Sequence, residues 1–292
     1  MDILSLCSGV GTLELGIRIA VPTARTVCYV EREVYACAIL AQRMQEGNLD
    51  KAPIWTDAAT FDGTAWRGIV DCITAGYPCQ PFSHAGKQLG EKDSRYIWGD
   101  IRRIVAEVSP AILFFENVAG HIRLGFESVY NDLSAMDYRV KAGLFSADEV
   151  GAPQKRERLF IMAHAVGKQA DGRGSIAQHI LKTAARQTTA NAARPSPAHV
   201  EYAAKRLSQP VEKGSGKRKQ TLSLGKSSSD SLFPPRCDDA ERWREIPETL
   251  KPEILRVAHG NADWVDRNRA VGNAVVPLVA AYAFRTLLNR FG

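Results

Sequence analysis

From the first residue to about Gly167 the chain alternates short apolar runs with stretches of helical spacing. Ile3–Leu6 reads as a buried strand, followed by a glycine-containing turn and a helix from about Leu13. Val27–Val30 reads as a second strand and Val34–Met44 as the helix after it. Ile69–Ala75 is a third strand, Ile97–Val108 a helix, Ala111–Phe115 a strand and Phe126–Met136 a helix. Tyr138–Phe145 and Leu159–Ala163 close the series. Strands that are apolar on both faces and separated by helices predict an α/β domain, its mainly parallel sheet covered on either side.

The composition changes near Gly167. Residues 168–230 are rich in Ser, Thr, Ala, Gly, Lys and Arg and poor in large apolar side chains, with a weak helix over Ile176–Ala185. Between Lys168 and Lys226 twelve basic residues face three acidic ones, which places +9 there and −3 on the rest of a chain whose formal charge is +6. A concentrated basic block suits a polyanion, although the same composition also describes a solvated, partly disordered insert. Order resumes by about Arg256, and a last helix runs from Pro277 to Phe291, proline suiting a first helical turn. The expected division is therefore 1–167, 168–255 and 256–292. No run approaches the roughly 18 apolar residues of a membrane span, and the first residues read as strand rather than signal peptide. The six cysteines, Cys7, Cys28, Cys37, Cys72, Cys79 and Cys237, show neither C-x-x-C nor zinc-site spacing, so free thiols in a reducing compartment and no metal are expected.

Open α/β sheets bind ligands at the carboxyl ends of their strands. The first strand ends in Ser8-Gly9-Val10-Gly11-Thr12, where glycine lets the backbone approach a ligand; an ordinary tight turn reads the same way. Glu14 stands where the dinucleotide fingerprint has its third glycine, which counts against a nicotinamide-dependent oxidoreductase. The second strand ends in Glu31, placed to accept hydrogen bonds from ribose hydroxyls. Together these features point to a nucleoside-bearing cofactor without a diphosphate. The third strand runs into Pro78-Cys79-Gln80-Pro81-Phe82-Ser83. A cysteine held between prolines after a strand meets the needs of a nucleophile, and six specified residues recur by chance at roughly 10⁻⁸ per position.

This run resembles the catalytic loop of the cytosine-5 DNA methyltransferase family, and further motifs follow in that family's order. Ser5-Leu6-Cys7-Ser8-Gly9-Val10-Gly11-Thr12 resembles its AdoMet-binding motif, Glu31 its ribose-binding acid, and Asp57 the acid that contacts adenine. Glu116-Asn117-Val118, Gln154-Lys155-Arg156-Glu157-Arg158 and Gly272-Asn273-Ala274-Val275-Val276-Pro277 resemble three more. The family usually has Phe where Cys7 stands and Gly where Thr12 stands, so somewhat weaker AdoMet binding is expected. The resemblance covers residues 1–167 and about 256–292; the segment between varies in the family and houses target recognition.

The resemblance implies a Rossmann-like AdoMet-dependent methyltransferase sheet with a small, irregular target-recognition domain. It implies methyl transfer from S-adenosyl-L-methionine to C5 of cytosine in double-stranded DNA, the base being flipped out of the helix. Cys79 would attack C6, Glu116 would hydrogen-bond or protonate N3, and Arg156 and Arg158 would hold the base and nearby phosphate. Asn117 would brace the catalytic loop. Leu6, Cys7, Ser8, Gly9, Gly11, Thr12, Glu31, Asp57, Pro78, Asn273 and Val275 would hold the cofactor. Gln80, Ser83, Gln154, Lys217, Arg218 and Lys219 would contact DNA. A cytoplasmic monomer is expected, in a bacterial or phage-infected cell; a cognate restriction endonuclease is left open. An RNA cytosine-5 methyltransferase would share Cys79, Glu116 and the arginine pair, and a binding protein with a spent site would have no need of all of them.

Overall fold

The computed structural model describes residues 1–78, 97–166 and 272–291. Seven strands form one sheet: β1 (Asp2–Leu6), β2 (Arg25–Val30), β3 (Ile54–Trp55), β4 (Cys72–Gly76), β5 (Ile112–Val118), β6 (Tyr138–Ser146) and β7 (Glu157–Ala165). The helices are α1 (Thr12–Ala20), α2 (Val34–Gln45), α3 (Trp98–Val108), α4 (His121–Leu124), α5 (Phe126–Ala135) and α6 (Pro277–Leu288). The strand order is β3-β2-β1-β4-β5-β7-β6. Strands β1 to β5 run parallel, while β7 is antiparallel to both β5 and β6. The fold is α/β and Rossmann-like, with the order reversing on either side of β1, the point at which such sheets open a crevice.

Successive strand residues feed two separate cores, as a period of two requires. Ile3, Phe114, Phe160 and Met162 join α1 and α6 in one. Leu4, Leu6, Ile73, Leu113, Phe115 and Ile161 join α3 and α5 in the other. The α1–α6 contact is close: a Cβ on Gly16 would lie 2.5 Å from Ala280 Cβ and 2.7 Å from the Pro277 carbonyl, so glycine alone fits there.

The sequence reading and the structure differ at strand ends. β4 starts at Cys72 rather than Ile69, because Ile69 and Val70 finish a turn whose N–H groups bond to the Trp66 carbonyl. β5 continues beyond Phe115 through Glu116-Asn117-Val118, pairing with β7. β3 is two residues long, too short for a period-of-two pattern to mark it in the sequence. The helix expected over Ile176–Ala185, and the boundaries at 168 and 255, lie outside the described residues.

Candidate active site

A cavity of about 440 Å³ opens at the carboxyl ends of β1, β2, β4 and β5. Its first wall is the loop after β1. Three of that loop's five residues are left-handed, Cys7 at φ 49°, Gly9 at 54° and Gly11 at 77°. This winding turns the Gly9 N–H toward β2, where it donates to Glu31 Oε2 at 2.7 Å; the Glu33 N–H donates to Oε1 at 2.8 Å. α1 then starts at Thr12 with no side-chain cap, so its first N–H groups and the positive end of its dipole are left for a ligand. Thr12 and Leu13 line the cavity.

Beneath this loop lies Glu14, 1% exposed. Its Oε1 accepts from Ser5 Oγ at 2.8 Å and from Thr74 Oγ1 at 2.7 Å, so one carboxyl joins α1, β1 and β4. Burial pushes its pKa up. Asp57 lines the far side, its Oδ1 already accepting the Ala59 N–H at 3.0 Å. Glu31, Glu33, Asp57 and Asp100 line the cavity beside the cation of Arg32, a balance of acidic over basic side chains that suits a cationic ligand.

The other end of the cavity is built on β5. Glu116 is 7% exposed and pairs through Oε1 with Arg158 Nε at 3.1 Å. The register explains the meeting: on the antiparallel β5–β7 pair, Val118 faces Arg158 and Glu116 faces Phe160, which puts Arg158 one pleat from Glu116 along the strand ends. Burial pushes the Glu116 carboxyl up to about 7, outweighing the opposite pull of Arg158 and Arg156. A group with that pKa can give or take a proton near neutrality. Asn117 Nδ2 donates to the Tyr77 carbonyl at 3.0 Å, and Tyr77 Oη meets His121 Nε2 at 3.0 Å. The chain leading to Pro78 is thereby fixed to β5 and α4.

The third wall is the segment before α6. Asn273, Ala274 and Val275 line the cavity. The Val275 N–H donates to Thr12 Oγ1 at 3.0 Å, and Arg156 Nη2 donates to the carbonyls of Gly272 at 2.6 Å and Ala274 at 2.7 Å. Arg156 was expected to face the base and phosphate; here its Nη2 is committed to backbone carbonyls.

The cavity gathers most of the expected cofactor residues: Cys7, Ser8, Gly9, Thr12, Glu31, Asp57, Pro78, Asn273 and Val275, together with Glu116. Two of the set are placed differently. Leu6 is fully buried in the core, and Gly11 packs away from the cavity, where a Cβ would lie 2.6 Å from Leu49 Cδ1. Cys79, Gln80, Ser83, Lys217, Arg218 and Lys219 lie outside the described residues, and Gln154 is exposed. The described cysteines are poor nucleophiles. Burial, helped by the negative charges of Glu31 and Asp100, pushes the Cys7 thiol up to about 12. Burial alone pushes Cys28 up to about 11, and it also raises Cys37 and Cys72. Asp100, Arg32 and Tyr35 line the cavity without having been singled out. An acid in the first turn of the helix after the Pro-Cys-Gln-Pro loop was the available signal for Asp100.

The family model described as C-5 cytosine-specific DNA methylase matches residues 1–232. The chain is 32% identical over 167 residues to the Type II methyltransferase M.Eco47II of Escherichia coli, covering 55% of this chain and 39% of that protein. It is 32% identical over 164 residues to M.NgoMIV of Neisseria gonorrhoeae, covering 55% and 50%. With M.HhaI of Haemophilus parahaemolyticus it shares 43% over 97 residues, 32% and 30% of the two chains. The matches thus span no more than about half the length of these relatives. With more than half of its residues matched by the family model, the chain belongs to the C-5 cytosine-specific DNA methylase family.

Proposed function

We propose that the protein methylates C5 of cytosine in duplex DNA with S-adenosyl-L-methionine as methyl donor. The observation that carries this reading is the pairing, in one cavity, of a nucleoside-type pocket with a buried acid poised near neutrality. Glu31 and the left-handed glycine loop form the first part; Glu116 with Arg158 forms the second. The pocket fits the cofactor's chemistry. Glu31 presents acceptor lone pairs for ribose hydroxyls, Asp57 an acceptor for the adenine amino group, and the uncapped start of α1 a place for the methionyl carboxylate. The surrounding carboxylates suit a ligand with two cationic centres. When bound, AdoMet supplies an electrophilic methyl group.

The rest falls to the chain's own residues. Cytosine C5 is a poor nucleophile until a thiolate adds at C6. We assign that thiolate to Cys79, one residue beyond Pro78 at the cavity wall. Glu116 hydrogen-bonds or protonates N3 and offsets charge building on the ring. Arg158 holds Glu116 in place and stabilises the anionic ring. Loss of the C5 proton then expels Cys79. The target carbon is closed off inside a duplex, so the base must leave the stack, and the +9 stretch between Lys168 and Lys226 is assigned to the phosphate backbone. DNA carrying 5-fluorocytosine should trap the protein covalently, because fluorine cannot leave as the C5 proton does, and Cys79→Ala should not be trapped. Bisulfite sequencing of DNA from cells expressing the chain reads activity and sequence context together. Unmethylated DNA beside a methylated tRNA control would overturn the DNA assignment.

A further inference from the structure

Three residues of the cavity wall, Asn273, Ala274 and Val275, belong to neither the sheet nor a long helix. They precede α6, whose first residue, Pro277, has no N–H with which to fix them. Their hold comes from elsewhere. Arg156 Nη2 reaches the carbonyls of Gly272 and Ala274, at 2.6 and 2.7 Å, and Thr12 Oγ1 accepts the Val275 N–H at 3.0 Å. We propose that Arg156 and Thr12 form a clasp that holds the C-terminal wall of the cofactor cavity, so that Arg156 is a positioning residue for AdoMet rather than a contact to nucleic acid. This rests on the AdoMet reading above.

Several features favour the clasp over a phosphate contact. Nη2 carries two N–H groups, and two carbonyls take them. The Nε of Arg156 is buried and has no hydrogen-bond partner among the described residues, so the two carbonyl bonds at Nη2 are what hold the guanidinium. Burial lowers the Arg156 pKa, with the like charge of Arg158 adding to it, while Glu116 opposes both. A guanidinium in such a place is stabilised by fixed carbonyl dipoles. At the other anchor, Thr12 is the first residue of α1 and itself lines the cavity, so a single side chain joins the ligand-facing helix start to the returning segment. A glycine at that position would leave the Val275 N–H without this acceptor. The threonine thus supplies an anchor where its departure from the family pattern had suggested a weaker pocket.

The test uses the full chain and S-adenosylhomocysteine, which binds without reacting, with calorimetry as readout and melting curves to confirm folding. Arg156→Ala should weaken the ligand by about 10-fold or more, and Thr12→Val by about 2- to 10-fold, the range for losing charged and neutral hydrogen bonds. Thr12→Ser keeps the hydroxyl and should stay within about 2-fold of the wild type. Duplex DNA binding without cofactor should be the same for Arg156→Ala and wild type. If Arg156→Ala does not fold, Arg156→Lys, which loses the planar two-carbonyl fork, and the Thr12 pair decide the matter. An Arg156 variant that binds S-adenosylhomocysteine normally but DNA poorly would overturn the clasp. So would Thr12→Val at wild-type affinity, or Thr12→Ser as weak as Thr12→Val. Wild-type protein that binds neither S-adenosylhomocysteine nor AdoMet would instead sink the cofactor reading beneath it.

Discussion

The ends of β2 and β5 each carry a glutamate, and the two are almost equally buried, at 8% and 7% exposure for Glu31 and Glu116. Their surroundings differ in kind. Glu31 accepts one backbone N–H on each oxygen, from Gly9 and Glu33, and no cation pairs with it among the described residues. Glu116 has Arg158 at 3.1 Å, yet burial raises it to about 7. Backbone donors on both oxygens fix the orientation of the Glu31 side chain; at Glu116, one arginine against heavy desolvation leaves a carboxyl that can exchange its proton. Under the proposed function, the same residue type at the same kind of position would serve binding at one strand end and chemistry at the other.

The comparison is broken most directly at Glu116. Glu116→Gln keeps the shape but cannot pass a proton, and turnover should fall by at least about 100-fold while AdoMet affinity hardly changes. Steady-state kinetics beside calorimetry separates the two effects, and an intact turnover would leave Glu116 as no more than a partner for Arg158. Wild-type turnover should also decline as the pH rises past about 7, where the protonated acid is lost.

A second consequence follows from linkage. A carboxyl raised from 4.5 to about 7 in the folded state favours folding below 4.5, and that contribution is lost as the pH climbs from 4.5 through 7. Wild type should therefore lose on the order of 3 kcal/mol over that window relative to Glu116→Gln, measured by denaturant unfolding at several pH values. Parallel pH profiles would show that Arg158 fully offsets the burial.

At the other strand end the effect should appear in binding. Glu31→Ala should weaken AdoMet by about 1.5–3 kcal/mol, since it removes charged acceptors and frees the Gly9 loop. Calorimetry giving an unchanged affinity would put the ribose elsewhere. The smallest effect belongs to Cys7. It is already left-handed, so Cys7→Phe meets the same backbone strain and adds a ring to the pocket. AdoMet should tighten by about 0.5–1.5 kcal/mol, the increment an aromatic contact brings. A weaker complex would mean that the cavity has no room for the ring.

The strands and helices were legible because burial writes a period into them, and it failed where the pattern was too short or too polar. Ile54–Trp55 offers two residues to a periodicity argument. The apolar run stops at Phe115, whereas β5 continues through Val118 because Glu116, Asn117 and Val118 pair with β7. Cys79 and Glu116 could be named as candidates because each sits in a dense local motif, and Glu31 because it follows the second strand. The partners of Arg156 could not, because they are backbone carbonyls 116 and 118 residues further on, and no side-chain pattern announces them. Leu6 is fully buried and a Cβ on Gly11 would point at Leu49, so any part these two play at the cavity falls to their backbone.

The packing of α6 on α1 sets a clock on biosynthesis. Thr12 and its partner Val275 are 263 residues apart, and Gly16 closes on Ala280 only when α6 exists. At roughly 5–20 residues per second the ribosome needs on the order of tens of seconds to span that distance. Throughout that interval the apolar face of α1 has no cover from α6, and the cofactor cavity lacks a wall. Under the proposed function, a nascent chain would lack part of its AdoMet pocket until α6 emerges, and the apolar face of α1 would stay uncovered up to that moment.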